Sequence, residues 1–327
     1  MRRAALIAFA PIAALAVAAG PASAAPTPRL AKSVVVKPAS GTVTVKPRGR
    51  GRFKLRKATA IPVGSTVDTT NGKVKLTSAR NSRRTQSGTF SRGAFVVTQQ
   101  HDGLTDLQLA GGDFSVCSAA HAAGKRLTAA ANRRRSLFGS AHGRFRTRGR
   151  NSSATVRGTE WLTEDRCDGT VTENKSASAS SKVQTETGDM LQFELDPGQT
   201  ITYYCNKFTI EPDTYCIMLL AQPADGVIGG GIITQVDTPS YYFCVQAPDG
   251  SSGCSDALPL SERDADGFRQ AIFVCPVRQA GQYYFAWSLD GQNLLFPTLS
   301  LSLDIPGPDL NCTTDPPTDV PIAKQFG

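Results

Sequence analysis

Ile61–Leu76, IPVGSTVDTTNGKVKL, is the stretch whose reading decides the fold class. Apolar and polar residues alternate on both sides of Asn71-Gly72, and those two residues accept the positive φ angles of a type I′ turn. The pattern predicts a β-hairpin in which Thr70 faces Lys73, Thr69 faces Val74, Asp68 faces Lys75 and Val67 faces Leu76. One face then carries Val67, Leu76, Thr69 and Val74, and the other an opposite-charge pair, Asp68 with Lys75. Further along, Ala154–Trp161, ATVRGTEW, alternates similarly and ends on a large aromatic. The expectation is an all-β protein.

Charge divides the chain more sharply than length does. Residues 25–150 hold 25 Lys/Arg against 4 Asp/Glu, residues 151–205 hold 4 against 9, and residues 206–327 hold 5 against 14. A basic first part precedes an acidic remainder, and the length suggests two domains. At the start, Arg2-Arg3, an alanine-rich apolar run from Ala4 to Gly20 and Ala22-Ser23-Ala24 stand in the order of a secretory signal peptide cut after Ala24. No later run is long and apolar enough to span a bilayer as a helix. The expected location is secreted or extracytoplasmic, with no membrane span.

Eight cysteines follow the signal: Cys117, Cys167, Cys205, Cys216, Cys244, Cys254, Cys275 and Cys312. An even number in an exported chain points to disulfides, and the lack of C-x-x-C and the scarcity of histidine point away from zinc. Cys117–Cys167 is the expected pair of the first part. The other six leave about 15 connectivities open.

The basic part is patterned. In RGRFKLR, Arg50, Arg52, Lys54 and Arg56 alternate with Phe53 and Leu55; in RFRTRGR, Arg144, Arg146, Arg148 and Arg150 alternate with Phe145 and Thr147. Lys73 and Lys75 flank Val74 in the same way. Successive side chains of a strand point to opposite faces, so each segment has a cationic face and a partly apolar one. Such cations are either the solvated side of an antiparallel sheet or, if the strands are neighbours, a docking face for a polyanion. Outside a cell the sensible polyanion is an anionic envelope polymer or polysaccharide. Base-specific nucleic-acid recognition has no supporting motif.

Between Cys117 and Gly143 the period changes. SAAHAAGKRLTAAANRRRSLF is alanine-rich, with Ala123, Leu127, Ala130 and Leu137 at helical spacing, and predicts an amphipathic helix over about 118–138 with Gly139 near its end. Its apolar stripe is too small for a membrane surface and suits packing on a sheet. In the second half, Ile201–Phe208, Tyr215–Ala221, Gly231–Val236, Ser240–Gln246, Ala271–Pro276, Gln282–Leu289 and Leu299–Leu303 read as strands of a β-sandwich. Tyr283 and Trp287 are expected in its core.

Four short motifs lie in order along the first half: Gly41-Thr42-Val43-Thr44-Val45, Gly64-Ser65-Thr66-Val67-Asp68-Thr69, Val156-Arg157-Gly158-Thr159 and Asp196-Pro197-Gly198-Gln199. Together, from about Val34 to Tyr204, they resemble the FecR-type domain, an all-β extracytoplasmic module. The resemblance implies that fold and a habit of binding or sensing outside the cell. The chain departs from the family in its helical insertion, in the Cys117/Cys167 pair, and in having no cytoplasmic anti-sigma segment or transmembrane helix before the domain. Gly281–Trp287, GQYYFAW, resembles the late strand of immunoglobulin-like and pre-peptidase C-terminal sandwiches. The expected organisation is a signal peptide over 1–24, a FecR-like basic domain over 25–204, a sandwich over 205–306 and a loose tail over 307–327.

Catalytic signatures are lacking: His101, His121 and His142 all lie in the basic half, and no G-x-S-x-G or H-E-x-x-H occurs. His142 is expected in an exposed loop. Glu160, Glu164 and Asp165 around Trp161 are expected on the wet side of an edge strand rather than as an acid–base pair. Glu262-x-Asp264-x-Asp266-Gly267 starts like a calcium loop, but its twelfth position is Phe273, so the bidentate ligand is missing. Neither a cofactor nor a metal is expected. The leading functional expectation is a non-enzymatic binding or sensing module that docks an anionic polymer on its basic face. A structural protein that self-associates through opposite charges is the alternative, and a secreted hydrolase the third reading.

Overall fold

The computed structural model describes residues 25–115, 117, 133–187, 191–206, 215–222, 227–235, 240–246, 252–254, 257–263, 269–276, 281–288 and 294–303. The expected signal peptide, most of the expected helix (118–132), His121 and the C-terminal tail lie outside them. Every element described is a strand. The first seven are β1 (Ser33–Lys46), β2 (Phe53–Lys54), β3 (Thr59–Pro62), β4 (Ser65–Ala79), β5 (Thr85–Ser91), β6 (Ala94–Gln99) and β7 (Thr105–Ala110). There follow β8 (Arg135–His142), β9 (Phe145–Arg148), β10 (Ser153–Val156), β11 (Thr159–Arg166), β12 (Gly169–Asn174), β13 (Val183–Thr187) and β14 (Leu191–Leu195). The last nine are β15 (Thr200–Asn206), β16 (Tyr215–Gln222), β17 (Val227–Thr234), β18 (Ser240–Gln246), β19 (Ser252–Cys254), β20 (Leu258–Pro259), β21 (Arg269–Pro276), β22 (Gly281–Ser288) and β23 (Leu294–Leu303).

The predicted hairpin does not form. Asn71-Gly72 lies inside the long strand β4, which runs antiparallel to β1 from Val35↔Thr77 to Lys46↔Thr66. A full-length partner outcompetes a local turn because it satisfies the ladder on both sides of Asn71. Gly41 and Gly72 sit opposite each other at a bulged part of this ribbon. A Cβ on Gly72 would stand 2.6 Å from the Thr42 carbonyl oxygen, and Gly41 has φ +62°. Here glycine permits a close approach of two backbones and a bulge, not a reversal.

β4 is also where two sheets part. Its second half pairs with β5 and its first half with β6. Between them Thr69 donates both its backbone N–H (2.8 Å) and its hydroxyl (2.6 Å) to the Gly93 carbonyl. From β5 one sheet continues through β8, β11, β12, β15, β16, β17 and β21. From β6 the other continues through β7, β9, β10, β13 and β14. All these pairs are antiparallel except β7 with β9.

The main core lies between the two sheets. Phe90 packs against Phe95, Phe145 and Trp161 with ring centroids 5.8, 5.6 and 6.1 Å away. Gly139, expected at a helix end, is instead in β8 beneath Trp161, and residues 135–138 of the expected helix are strand as well. Those residues pair with β5 and β11 instead, while the alanine-rich part of the expected helix lies outside the described residues. A second core forms on the outer face of the first sheet. There Ile217, Leu219, Ala221, Ile232 and Ala271 meet Tyr241, Phe243, Tyr283, Phe285 and Trp287. The latter five come from a smaller sheet ordered β19-β18-β22-β23, with β20 beside β18. Strand β16 serves both cores, with Cys216, Met218 and Leu220 in the first and Ile217, Leu219 and Ala221 in the second. Its unbroken apolar run fits burial on both faces.

Candidate functional site

β9 alternates as its sequence suggests: Phe145 and Thr147 are buried in the core while Arg146 and Arg148 point outward. The outward arginines meet carboxylates. Arg146 Nε lies 2.5 Å from Asp106 Oδ1 and its Nη1 lies 3.1 Å from Glu186, whose carboxylate also accepts from Ser153 (2.7 Å). Arg148 Nε shares the same Asp106 oxygen at 3.1 Å. Burial opposes the charge of Arg146, but its bonds to Asp106 and then Glu186 carry its pKa above the ordinary arginine value. Arg144 pairs with Asp102 at 2.7 Å, and the Arg150 guanidinium lies over the Phe114 ring at 4.9 Å. The strand therefore pins β7, β10 and β13 together, and its cations are largely neutralised where they stand.

The other arginine run lies elsewhere. Only Phe53 and Lys54 form a strand, β2, on the free edge of β1; Phe53 is 38% exposed while Leu55 is buried. Arg52 reaches Asp68 at 3.7 Å across exposed surface. Counting from β2 through β1, β4, β6 and β7 to β9 gives five strand spacings, about 24 Å. The structure does not bring the two runs together.

A different cationic cluster does assemble. The register sets Lys37 of β1 directly opposite Lys75 of β4, with Lys73 two residues along and all three exposed. Their neighbours on the same face are hydroxyls: Ser40 and Ser91 beside Lys73, Thr89 beside Lys75, then Ser140. The first carboxylate along that row, Glu160, is three strands from Lys75, about 14 Å. The β4–β5 turn, five or more residues beyond Lys75, carries Arg80, Arg83 and Arg84, and residues 25–100 contain 16 Lys/Arg and one Asp/Glu. Among the described residues Lys37, Lys73, Lys75, Arg50, Lys54 and Arg56 form no ion pair. Sequence reasoning missed Lys37, because the mistaken hairpin assigned Asp68 to Lys75 and hid the β1–β4 register.

The acidic residues near Trp161 are arranged for structure. β11 is central rather than an edge strand, flanked by β8 and β12. Asp165 is fully buried; it accepts from Arg135 at 2.7 Å, from the Arg150 backbone N–H at 2.8 Å and from the Thr170 hydroxyl at 2.6 Å. Arg135 also donates to the Gly111 carbonyl and lies over Phe114, so this group ties the start of the long β7–β8 connection to the sheet. The Cys117–Cys167 disulfide fastens the same connection. Glu160 and Glu164 share the outer face four residues apart, about 13 Å, farther than the two carboxyls of a glycosidase stand. Burial raises the Glu164 carboxyl pKa, with Arg166 and Arg134 opposing it.

His142 ends β8 and is exposed, as is His101. Trp161, Tyr283 and Trp287 are core residues. Asp264 and Asp266 of the calcium-like segment lie outside the described residues, among which no group of three or more His/Cys/Asp/Glu gathers. A shallow depression of about 340 Å³ on the outer face of the second sheet is lined by Arg157, Ser180, Ser181, Lys182 and Glu194 among others. Its Lys182 is paired with Asp196, so it offers one uncommitted cation, Arg157, and no converging carboxylates. No helix among the described residues is long and apolar enough to cross a membrane. No protein-family model matches this chain, and a search of curated proteins finds no match to it.

Proposed function

We propose that this chain is an exported, non-catalytic binding module that holds an anionic envelope polymer or polysaccharide on the β1–β4 ribbon. Lys37, Lys73 and Lys75 form the contact; Arg50, Lys54 and Arg56 lie apart from it, Lys54 facing Thr44 seven residues farther along β1 than Lys37, about 23 Å away. Arg144, Arg146 and Arg148 belong to the scaffold. The observation that carries the reading is the directly opposed Lys37 and Lys75. Like charges facing each other across two strands are unfavourable, and among the described residues the first carboxylate along their row is Glu160, three strands away. An anionic ligand would supply the missing countercharge.

A FecR-like architecture accords with this reading. Its motif positions fall on β1, at the entry to β4, at the β10–β11 corner and in the β14–β15 turn. Export is supported by the N-terminal residue pattern and by a buried disulfide, a bond that persists in oxidising compartments. The test is retention on immobilised sulfated polysaccharide as salt is raised, comparing the native protein with a Lys37→Ser/Lys73→Ser/Lys75→Ser variant. Steep salt dependence that the variant loses supports the site. Indifference to the polymer at low salt refutes it, and salt-sensitive self-association by sedimentation would instead support the structural reading.

A further inference from the structure

We propose that the eight cysteines pair strictly in the order in which they occur: Cys117–Cys167, Cys205–Cys216, Cys244–Cys254 and Cys275–Cys312. The first bond is present. For the second and third, the strand register supplies the partner. Cys205 of β15 lies directly opposite Cys216 of β16, and Cys244 of β18 lies directly opposite Cys254 of β19. Residues facing each other across antiparallel strands have Cα atoms about 4.5–5.5 Å apart, inside the window a disulfide requires. Cys216 and Cys244 are both disulfide-bonded. Cys275, in β21, faces Ile228, so its own ladder offers it no cysteine. Parity leaves it Cys312, which would tether the C-terminal segment to the sheet.

Of the roughly 15 ways to join the last six cysteines, this is the sequential one. No bond encloses half of another, so each pair can close before the next cysteine is needed. Formation requires a disulfide-bearing oxidant of the extracytoplasmic thiol–disulfide exchange class. One thiolate attacks the oxidant's disulfide to give a mixed disulfide, and the second thiolate displaces the oxidant from it. The two thiol protons and two electrons end on the oxidant, which departs as a dithiol. An oxidant that joins cysteines as they emerge produces the native set directly, so a disulfide isomerase is not needed. This assignment does not depend on the polymer-binding reading.

The test is peptide mapping of the native full chain, alkylated and digested without reduction. Four sequential linkages are expected; any crossed linkage, or alkylated Cys275 and Cys312, overturns the assignment. In a Cys312→Ser variant one thiol should become alkylatable, at Cys275, and a thiol at any other position overturns the fourth pair. Full chain exported into an oxidising compartment should reach the same native yield, within about twofold, with or without isomerase. A yield that depends on isomerase refutes the direct route while leaving the map to judge the pairing.

Discussion

Replacing Lys75 with glutamate should strengthen the fold and weaken polymer binding together. Lys37 and Lys75 are opposed across the β1–β4 ladder, both exposed. Two like unit charges roughly 6 Å apart in water repel by about 0.7 kcal/mol, so reversing one sign gains about 1.4 kcal/mol before corrections. Screening and the entropy of holding two long side chains reduce this to about 0.5–1 kcal/mol. For a protein of this size that is about 1–4 °C in the unfolding midpoint, largest at low salt. Thermal unfolding at low and high salt, with retention on a sulfated polysaccharide measured on the same samples, reads both effects. A lower midpoint at low salt, or unchanged retention, would refute the idea that this pair carries uncompensated charge for a ligand.

Three other outcomes follow from the scaffold. Arg135→Met leaves the buried Asp165 carboxylate without its cation and should cost about 3–5 kcal/mol, seen as a lower urea midpoint. Glu164→Gln should raise the urea midpoint at neutral pH and leave it unchanged in acid. Burial lifts this carboxyl's pKa above that in the unfolded chain, so the stability it contributes is present at low pH and lost as pH rises and it ionises. Gly139→Ala places a Cβ 2.6 Å from the Trp161 ring, an overpacking worth about 1–3 kcal/mol, visible as altered tryptophan fluorescence and a lower midpoint.

Strand identity was legible wherever alternation was clean. Ser240–Gln246 appears with the bounds its sequence suggests, and the other six strands of the second half are present within a few residues. The Cys117–Cys167 bond was also legible, because no other cysteine lies in that part of the chain. Pairing was not legible. Asn71-Gly72 carries a strong local turn signal, yet the choice between turning and continuing was made by β1, a partner some thirty residues away. The arginines of β9 looked free because their acids, Asp106 and Glu186, are distant in sequence and meet them only through the β7–β9 and β10–β13 ladders. Alternation tells which way a side chain points, but not what waits there.

The strand clothed on both faces has a consequence for biosynthesis. A nascent polypeptide that has emerged only as far as Tyr204 has not yet delivered Cys216, Met218 and Leu220, so the aromatic interior has an open flank. Closure waits for β16, and β16 in turn waits for Phe243, Phe285 and Trp287 to cover its reverse side. Maturation is thereby deferred until β22 has emerged. The two halves are made in sequence but completed together.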